Sequence, residues 1–508
     1  MFIIINMLKV INMLKVIKKY KLRITFIWLF FYLKDVDLQF YIKYIIFYFY
    51  SLTKKGKLEI ETKKKQAIMT IKNTFFNKEW TYNFNDLPEK SIHQEDIIQI
   101  LYGRKSTTLN NKISGCLYIN DKHCESLLKN VNNQYLFSNP LHPDIFPELP
   151  KMESEIIKMV GKLYDLPERG GGNLTTGGTE STILALKAYK KYKKYGSFFR
   201  PEVICTKTVH AAVNKACELL DLNIVYVKLD KNYIMDLNDL KKKISYKTCV
   251  IIASAPCFPY GLMDPIEQIS IIAKDFNIPL HVDACLGGFI CQFNKKLKLS
   301  FTKNIQSISI DPHKFGYSPK GSSILLWKDN EIKHNQYFIV QDWTGGIYAS
   351  ASLPGSRVGS QIATTWATLL YHGKESYKIY SKKIIDKTIY LKNEIKKINS
   401  FHVIGNPNIN VIAFYSDKYS LGQLSAHLKS FLWNINILQN PLCLHICITP
   451  KNIDSCDELL SSLRILLHCK VEKDKKDITA IYGMAAQIPD KSIINEIVEY
   501  YLDFTTKC

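Results

Sequence analysis

A chain of 508 residues with 46% hydrophobic content can bury more than one core, which fits one large domain with smaller flanking pieces. Its thirteen cysteines show no metal spacing such as paired C-x-x-C, so no zinc site is read from them, and their odd number scattered through apolar runs argues for reduced thiols in a cytosol-facing domain. The formal charge of +22 raises nucleic acid or acidic membrane as partners, but residues 1–75 hold 15 basic against 4 acidic side chains, half of the excess, and no aromatic-basic motif supports nucleic acid.

The N-terminal 1–75 segment opens with Ile5 to Val10 repeated at once as Ile11 to Val16, and is dominated by Ile, Lys, Tyr, Phe and Asn. Ile24 to Leu33 is a charge-free apolar run, and Leu38 to Leu52 is a second one broken by Lys43. Neither reaches the roughly 18 to 20 residues of a spanning helix, and no small-residue cleavage site follows, so a signal peptide fits poorly. The segment reads as a possible membrane anchor. Lys54, Lys55, Lys57 and Lys63 to Lys65 favour a cytosolic C-terminal side, against six basic residues before Ile24. Residues 76–150 form an N-terminal arm, with Lys72 to Asp86 as polar linker and periodic apolar spacing from Gln94 to Leu101.

From 151 to 373 the pattern is that of a large domain. Met152, Ile156, Ile157, Val160 and Leu163 recur at helical intervals and predict an amphipathic helix over Lys151 to Leu166. Asn173 to Ser181 is a Gly-rich turn running into the helical spacing of Ile183 to Tyr189. A helix start offers free N–H groups and a positive dipole end, the glycines admit a phosphate, and Thr176, Thr179 and Ser181 are hydroxyl donors. A plain Gly-Gly helix cap is the bland alternative.

Short β-rich runs follow at Val203 to Cys205, Ile224 to Leu229, Cys249 to Ala253, Leu280 to Val282, Ser307 to Ile310 and Ser323 to Trp327. Helical stretches such as Ile266 to Phe276 alternate with them, which predicts an α/β fold with a mainly parallel sheet covered on both faces. Within these runs, His210 can lie flat on an aromatic ring, or be a buried structural histidine. Asp283 closes the apolar run Pro279 to Ala284, where a carboxylate can keep a pyridine nitrogen protonated, or merely cap a turn. Lys314, at the mouth of the strand Ser307 to Ile310, is a candidate Schiff-base amine; that chemistry needs a deprotonated lysine, favoured by burial beside a cation such as His313 or Lys320. The order of these segments would assemble a pyridoxal phosphate pocket. After Gly373 a Lys-rich amphipathic region leads to strands at Val403, Val411 to Phe414 and His445 to Ile448, read as a smaller C-terminal α+β domain over 374–508, with Glu472 to Asp477 a charged loop.

These segments, together with Ser138 to Pro147, Gly345 to Ser350, Gly355 to Arg357 and Ile481 to Ala485, resemble the sphingosine-1-phosphate lyase family from about Leu87 to the C-terminus. These are pyridoxal 5'-phosphate enzymes of the aspartate aminotransferase-like type I fold, close to the group II amino-acid decarboxylases. The resemblance implies Lys314 as the cofactor lysine, His210 stacked on the ring, Asp283 on its nitrogen, and Thr176, Gly177, Gly178 and Thr179 as phosphate cradle, with His313 also against the cofactor. It further implies a homodimer in which Ser356 reaches the phosphate of the neighbouring subunit, and a substrate side lined by Tyr118, Asn139, His142 and Lys320. The implied activity is cleavage of a long-chain base phosphate between C2 and C3 to a fatty aldehyde and phosphoethanolamine, with Tyr118, Lys320 and Lys314 as alternative bases. The implied location is the endoplasmic reticulum membrane, with the catalytic domain facing the cytosol.

An amino-acid decarboxylase on the same fold would share Lys314, Asp283 and His210, but the set Asn139, His142 and Lys320 to Ser323 looks like the lyases. A catalytically silent membrane scaffold is the remaining alternative, opposed by the intact Lys314, Asp283 and His210. Against the family pattern, Pro312 replaces a threonine, Phe315 a tyrosine, and Val358 and Ser360 interrupt Gly-Ser-Arg-Pro-Gly-Gly. Since a glycine at positive φ or against a ligand is not freely replaced, Ser360 is expected to weaken cofactor binding.

Overall fold

Seven strands build the sheet on which the site rests: β1 (Gly171–Thr175), β2 (Glu202–Thr206), β3 (Asn223–Val227), β4 (Thr248–Ser254), β5 (Leu280–Asp283), β6 (Ser307–Ile310) and β7 (Ser323–Trp327). The structure is a computed structural model and describes residues 50–73, 86–104, 110–193, 199–469 and 491–506. The apolar run Ile24 to Leu33, most of Leu38 to Leu52, the loop Glu472 to Asp477 and the segment Ile481 to Ala485 lie outside the described residues.

The sheet order is β1-β7-β6-β5-β4-β2-β3; β7 runs antiparallel to both its neighbours and all other pairs are parallel. β4 is buried along its entire length, as a central strand covered on both faces must be. The mainly parallel α/β sheet expected from the alternation of runs is therefore present. One strand departs from expectation. Gly171–Thr175 is an extended strand on β7, so the Gly-rich turn shrinks to the two residues Thr176 and Gly177 before the helix Gly178–Tyr192. No β-branched run announced it, because the strand needs glycine: a Cβ on Gly172 would fall 2.7 Å from the Leu325 carbonyl oxygen.

The helix expected at 151–166 spans Glu148–Leu163 and buries Ile156, Ile157 and Val160. It stops there because Tyr164 leaves helical geometry and Asp165 takes a positive φ of 53°. A 39-residue helical segment, Gly359–Lys397, breaks at Gly373 (φ 55°, ψ −179°). It leads to a second, antiparallel sheet of β10 (Phe401–Val403), β11 (Val411–Ser416), β12 (Asn436–Leu438) and β13 (Cys443–Cys447), ordered β10-β11-β13-β12. Between the two sheets in sequence lies the small ribbon β8 (Phe338–Val340) and β9 (Tyr348–Ser350).

The described residues fall into two compact units, one within 108–477 and the other within 1–107 and 478–508. In the second, the lysine-rich segment at 54–71 is a helix, N-capped by Thr53, whose Oγ1 accepts from the Gly56 N–H at 2.9 Å. Its Ala67 packs on Ile497 of the helix Lys491–Thr506, and Lys64 pairs with Glu496. Among the described residues no helix is long and apolar enough to cross a membrane.

Candidate active site

The turn after β1 ends at the N-terminus of the helix Gly178–Tyr192, whose first N–H groups lack intrahelical partners. Gly178 is forced by its neighbours, since a Cβ there would lie 2.8 Å from Cys285 Sγ and 3.1 and 3.2 Å from the Asp311 carboxylate oxygens. Buried Glu180 changes the expected donor set. Its Oε2 accepts from both the N–H and the hydroxyl of Thr176, each at 2.7 Å, and its Oε1 accepts from the Leu353 N–H at 2.8 Å. Ser181 is equally committed, between Thr175 (2.8 Å) and Ser323 (2.9 Å), with no exposed surface. The reading of Thr176 and Ser181 as phosphate-donating hydroxyls is thus corrected: both are spent on the protein, leaving Thr179 and the helix start.

Lys314 follows β6 in a turn closed by its own N–H on the Asp311 carbonyl at 3.1 Å. Its Nζ lies 2.9 Å from Asp311 Oδ2, and His313 Nε2 lies 3.4 Å from the same oxygen. His313 Nδ1 accepts from the Ser322 N–H at 3.2 Å, which leaves Nε2 as its protonated nitrogen when neutral. Burial works to lower the Lys314 pKa, but the Asp311 carboxylate, with Cys285 and Tyr118, outweighs it and holds the ammonium above the ordinary lysine value. The neighbour that decides the charge of Lys314 is therefore an anion, not the expected cation. Burial likewise opposes ionisation of Asp311, yet Lys314 and His313 keep its pKa below the usual carboxylate value. For His313 burial wins and the pKa falls.

Beside this pair, Lys320 Nζ sits 4.6 Å from the centroid of the Tyr118 ring and 3.4 Å from the His313 carbonyl oxygen. Burial pushes the Tyr118 phenol up and the Lys320 ammonium down. Phe315, in the place of the family tyrosine, is buried and meets the Tyr118 ring edge-on at 5.0 Å. Pro312 lacks an N–H but its carbonyl accepts from Ser318 at 3.0 Å, closing the turn. Ser360 lies in the first turn of Gly359–Lys397, is not among the residues at positive φ, and does not line the cavity. Its backbone is thus one that serine adopts without strain, and the positive φ that would demand glycine is absent.

Asp283 ends β5, and its Oδ1 accepts from the Cys285 N–H at 3.1 Å. His210, after β2, accepts from the Ala212 N–H through Nδ1 at 3.1 Å and meets the Phe258 ring edge-on. Thr176, Gly177, Gly178, Thr179, His210, Asp283, His313 and Lys314 all line one cavity of about 290 Å³. Tyr118, Asn139, His142, Lys320 and Ser356 are not in its wall. Asn139 Nδ2 instead donates to Ser356 Oγ at 3.1 Å and its Oδ1 accepts from the Arg357 N–H at 3.2 Å, while the His142 N–H donates to the Asn139 carbonyl at 3.2 Å. Arg357 makes a two-pronged pair with Glu153 at 3.0 and 2.8 Å.

An amine, a strand-end carboxylate, an imidazole and an open helix start around one cavity match the carbonyl, ring nitrogen, ring face and phosphate of pyridoxal phosphate. Asp311 Oδ1, buried without a hydrogen-bond partner, lies against the glycine of that cradle and permits no side chain there. Sequence reasoning passed over Asp311 and Glu180. Asp311 was visible as an acid three residues before the lysine, on the same face of a turn; an acid in the first turn of a phosphate-binding helix argues against its surroundings, and only the contact with Leu353 explains it.

Residues 88–417 match the family model described as the pyridoxal-dependent decarboxylase conserved domain. The chain is 34% identical to a sphingosine-1-phosphate lyase of Dictyostelium discoideum over 88% of its own length and 85% of that protein. It is 35% identical to sphingosine-1-phosphate lyase 1 of Mus musculus over 88% and 81% of the two chains. Among solved structures, a Burkholderia pseudomallei sphingosine-1-phosphate lyase superposes with a TM-score of 0.75 and 29% identity, covering 84% of this chain and 98% of that one. A Lactobacillus brevis glutamate decarboxylase shares the fold at a TM-score of 0.69 and 18% identity, over 79% of this chain and 99% of its own.

Proposed function

The chain belongs to the sphingosine-1-phosphate lyases within the pyridoxal-dependent decarboxylase family and is a pyridoxal phosphate-dependent lyase, and from that premise we propose that it cleaves a long-chain base phosphate between C2 and C3, yielding a fatty aldehyde and phosphoethanolamine. The observation that carries the reading is the single cavity shared by Lys314, Asp283, His210 and the Gly177–Gly178 turn, in a chain alike to these lyases over most of its length.

Lys314 would hold the cofactor through Nζ, Asp283 would keep a proton on its ring nitrogen, His210 would lie against its ring, and Thr179 with the helix start would take its phosphate. When bound, the cofactor supplies a sink for the electron pair left by carbon–carbon cleavage. The protein must supply a base for the C3 hydroxyl proton. In the cofactor-free protein burial raises the Tyr118 phenol and Asp311 raises the Lys314 ammonium, so both hold their protons there. Lys320 is the candidate that burial shifts toward the neutral, proton-accepting form, and its ammonium form suits the substrate phosphate equally well.

The finer reading adds a homodimer in which Ser356 serves the neighbouring subunit's phosphate, and attachment to the endoplasmic reticulum membrane through residues 24–33 and 38–52, with the catalytic unit toward the cytosol. Support for a second copy comes from apolar side chains left in the open on the segments that carry Asn139 and Ser356, notably Phe137 at 92% and Ile347 at 79% exposure, with Ile145 and Val358. The decisive experiment loads the full-length protein with pyridoxal phosphate in detergent and supplies sphingosine 1-phosphate. Fatty aldehyde must appear, and must vanish in Lys314→Ala together with the visible absorbance of the lysine-bound cofactor. Release of carbon dioxide from an amino acid without aldehyde formation would instead make the protein a decarboxylase.

A further inference from the structure

Behind Asp283 runs a buried file of polar side chains that nothing in the cavity itself requires. β5 and β6 are parallel, with His281 opposite Ser307 and Asp283 opposite Ser309. Alternate residues of a strand face the same side, so all four share one face of the sheet. Tyr189, from the last turns of the helix Gly178–Tyr192, reaches the same face. The contacts are continuous: Tyr189 Oη to Ser307 Oγ 2.5 Å, Ser307 Oγ to His281 Nδ1 2.7 Å, His281 Nε2 to Ser309 Oγ 3.3 Å, and Ser309 Oγ to Asp283 Oδ1 3.4 Å. Tyr189, His281, Ser307 and Ser309 are all buried, His281 to within 1% of complete exclusion from solvent.

The protons of this file can be assigned by counting. An ionised carboxylate only accepts, so Ser309 gives its single proton to Asp283 and cannot also donate to His281. Nε2 of His281 must then carry the hydrogen and donate to Ser309. Burial holds the His281 pKa down to about 4, so the ring is neutral near pH 7 and Nδ1 is bare. Nδ1 accepts from Ser307, whose oxygen accepts in turn from Tyr189, a phenol that burial keeps protonated. Every donor therefore points toward Asp283, which also receives the Cys285 N–H. Buried polar side chains are costly unless fully paired, and apolar residues would fill these strand positions as well. A file with one direction and one end suggests a purpose at that end.

We propose that Tyr189, Ser307, His281 and Ser309 are positioning residues that aim the Asp283 carboxylate at the cofactor ring nitrogen, with His281 in its Nε2–H tautomer as the central link. The proposal rests on the reading of Asp283 as the partner of that nitrogen. It also gives the helix Gly178–Tyr192 two tasks, since its first turn borders the phosphate cradle and its eleventh residue beyond Gly178, Tyr189, begins the file.

The first test needs no cofactor. In full-length protein carrying ¹⁵N-histidine, His281 is expected to show the neutral Nε2–H pattern from about pH 5.5 to 8; an Nδ1–H tautomer or a charged ring overturns the proposal. The second measures the pyridoxal phosphate Kd by visible absorbance and the ¹⁵N resonance of ring-labelled cofactor. His281→Phe and Ser309→Ala are each expected to raise Kd about tenfold and to move the resonance toward the unprotonated ring. His281→Gln, whose amide can accept from Ser307 and donate to Ser309, should recover most of both. Wild-type Kd and resonance in His281→Phe, alongside loss of both in Asp283→Ala, would sink the file and leave Asp283 its role. No change even in Asp283→Ala would remove the role of Asp283 and the proposal with it. Should the variants fail to fold, the tautomer in the wild-type protein decides.

Discussion

The carboxylate of Asp311 lies 2.9 Å from the ammonium of Lys314, one turn further along the chain, and is almost fully shut off from solvent. The pair sets the state in which the lysine waits for its cofactor. Burial alone would make Lys314 easy to deprotonate, and Asp311 reverses that.

Replacing Asp311 with Asn should therefore lower the Lys314 pKa, because the opposing charge is lost while burial stays. Since the neutral amine is the form that reacts, the rate at which cofactor-free protein regains visible absorbance with added pyridoxal phosphate should rise more steeply with pH in the wild type across pH 6 to 9. The profile of Asp311→Asn should be displaced to lower pH, with a faster rate at pH 7. Superimposable profiles would show that Asp311 does not control the charge of Lys314.

How much of this was legible beforehand depended on where the physics is local. The cofactor lysine and the strand-end acid announce themselves because each follows a short apolar run, the glycine turn because it runs into helical spacing, and β4, β5 and β6 declare themselves by composition. β1 was hidden because glycine, needed for close approach to Leu325, carries no strand signal. Asp311, Glu180 and the His281 file were hidden for another reason. Beyond local contacts with Lys314, His313 and Thr176, their partners lie far along the chain, at Leu353 for Glu180 and at Ser307 for both Tyr189 and His281. At Ser360 the motif position gave no sign that its backbone is helical and needs no glycine.

Acid should destabilise the protein through its buried neutral histidines. Burial holds both His281 and His445 at pKa values of about 4, below the roughly 6.5 of an unfolded histidine. The unfolded chain thus takes up protons first: stability is complete above about pH 6.5 and drains as pH falls toward 4, by about 2 kcal/mol per histidine at pH 5. His445 donates through Nδ1 to the Pro259 carbonyl at 3.1 Å and accepts from Asn436 at 2.9 Å, roles that a glutamine amide can copy. Urea unfolding at pH 7 and pH 5 should show a loss smaller by about 2 kcal/mol in His445→Gln than in the wild type. Equal losses would mean that His445 is not held neutral.

A shared active site makes a separate claim on the oligomer. If Ser356 acts on the neighbouring subunit's phosphate, Lys314→Ala and Ser356→Trp chains are each inactive alone, yet a mixed dimer contains one site with both residues intact. Co-expression should then restore up to about a quarter of wild-type turnover per total chain, from random pairing of two chain types with one working site per hybrid. Absence of recovery in mixtures whose hybrids are demonstrated by affinity tags would confine Ser356 to its own subunit.

The N-terminal segment should locate the enzyme without serving its chemistry, but the position of the cut matters. Residues 1–49 contain the apolar run Ile24 to Leu33 and most of the second run, and none of the cavity residues. Residues 54–71 are different in kind: that helix covers Ile497 with Ala67 and pairs Lys64 with Glu496, so removing it uncovers the helix Lys491–Thr506. Deleting 1–49 is expected to release the protein from membranes while leaving cleavage of detergent-solubilised substrate within about twofold of the full chain. Deleting 1–75 should add a loss of stability, seen as a lower Tm and as rapid proteolysis near residue 491, because the apolar cluster around Ala67 and Ile497 and the Lys64–Glu496 pair are gone. Full-length protein found entirely in the soluble fraction, or equal Tm values for the two truncations, would contradict this division of the segment into an anchor and a structural helix.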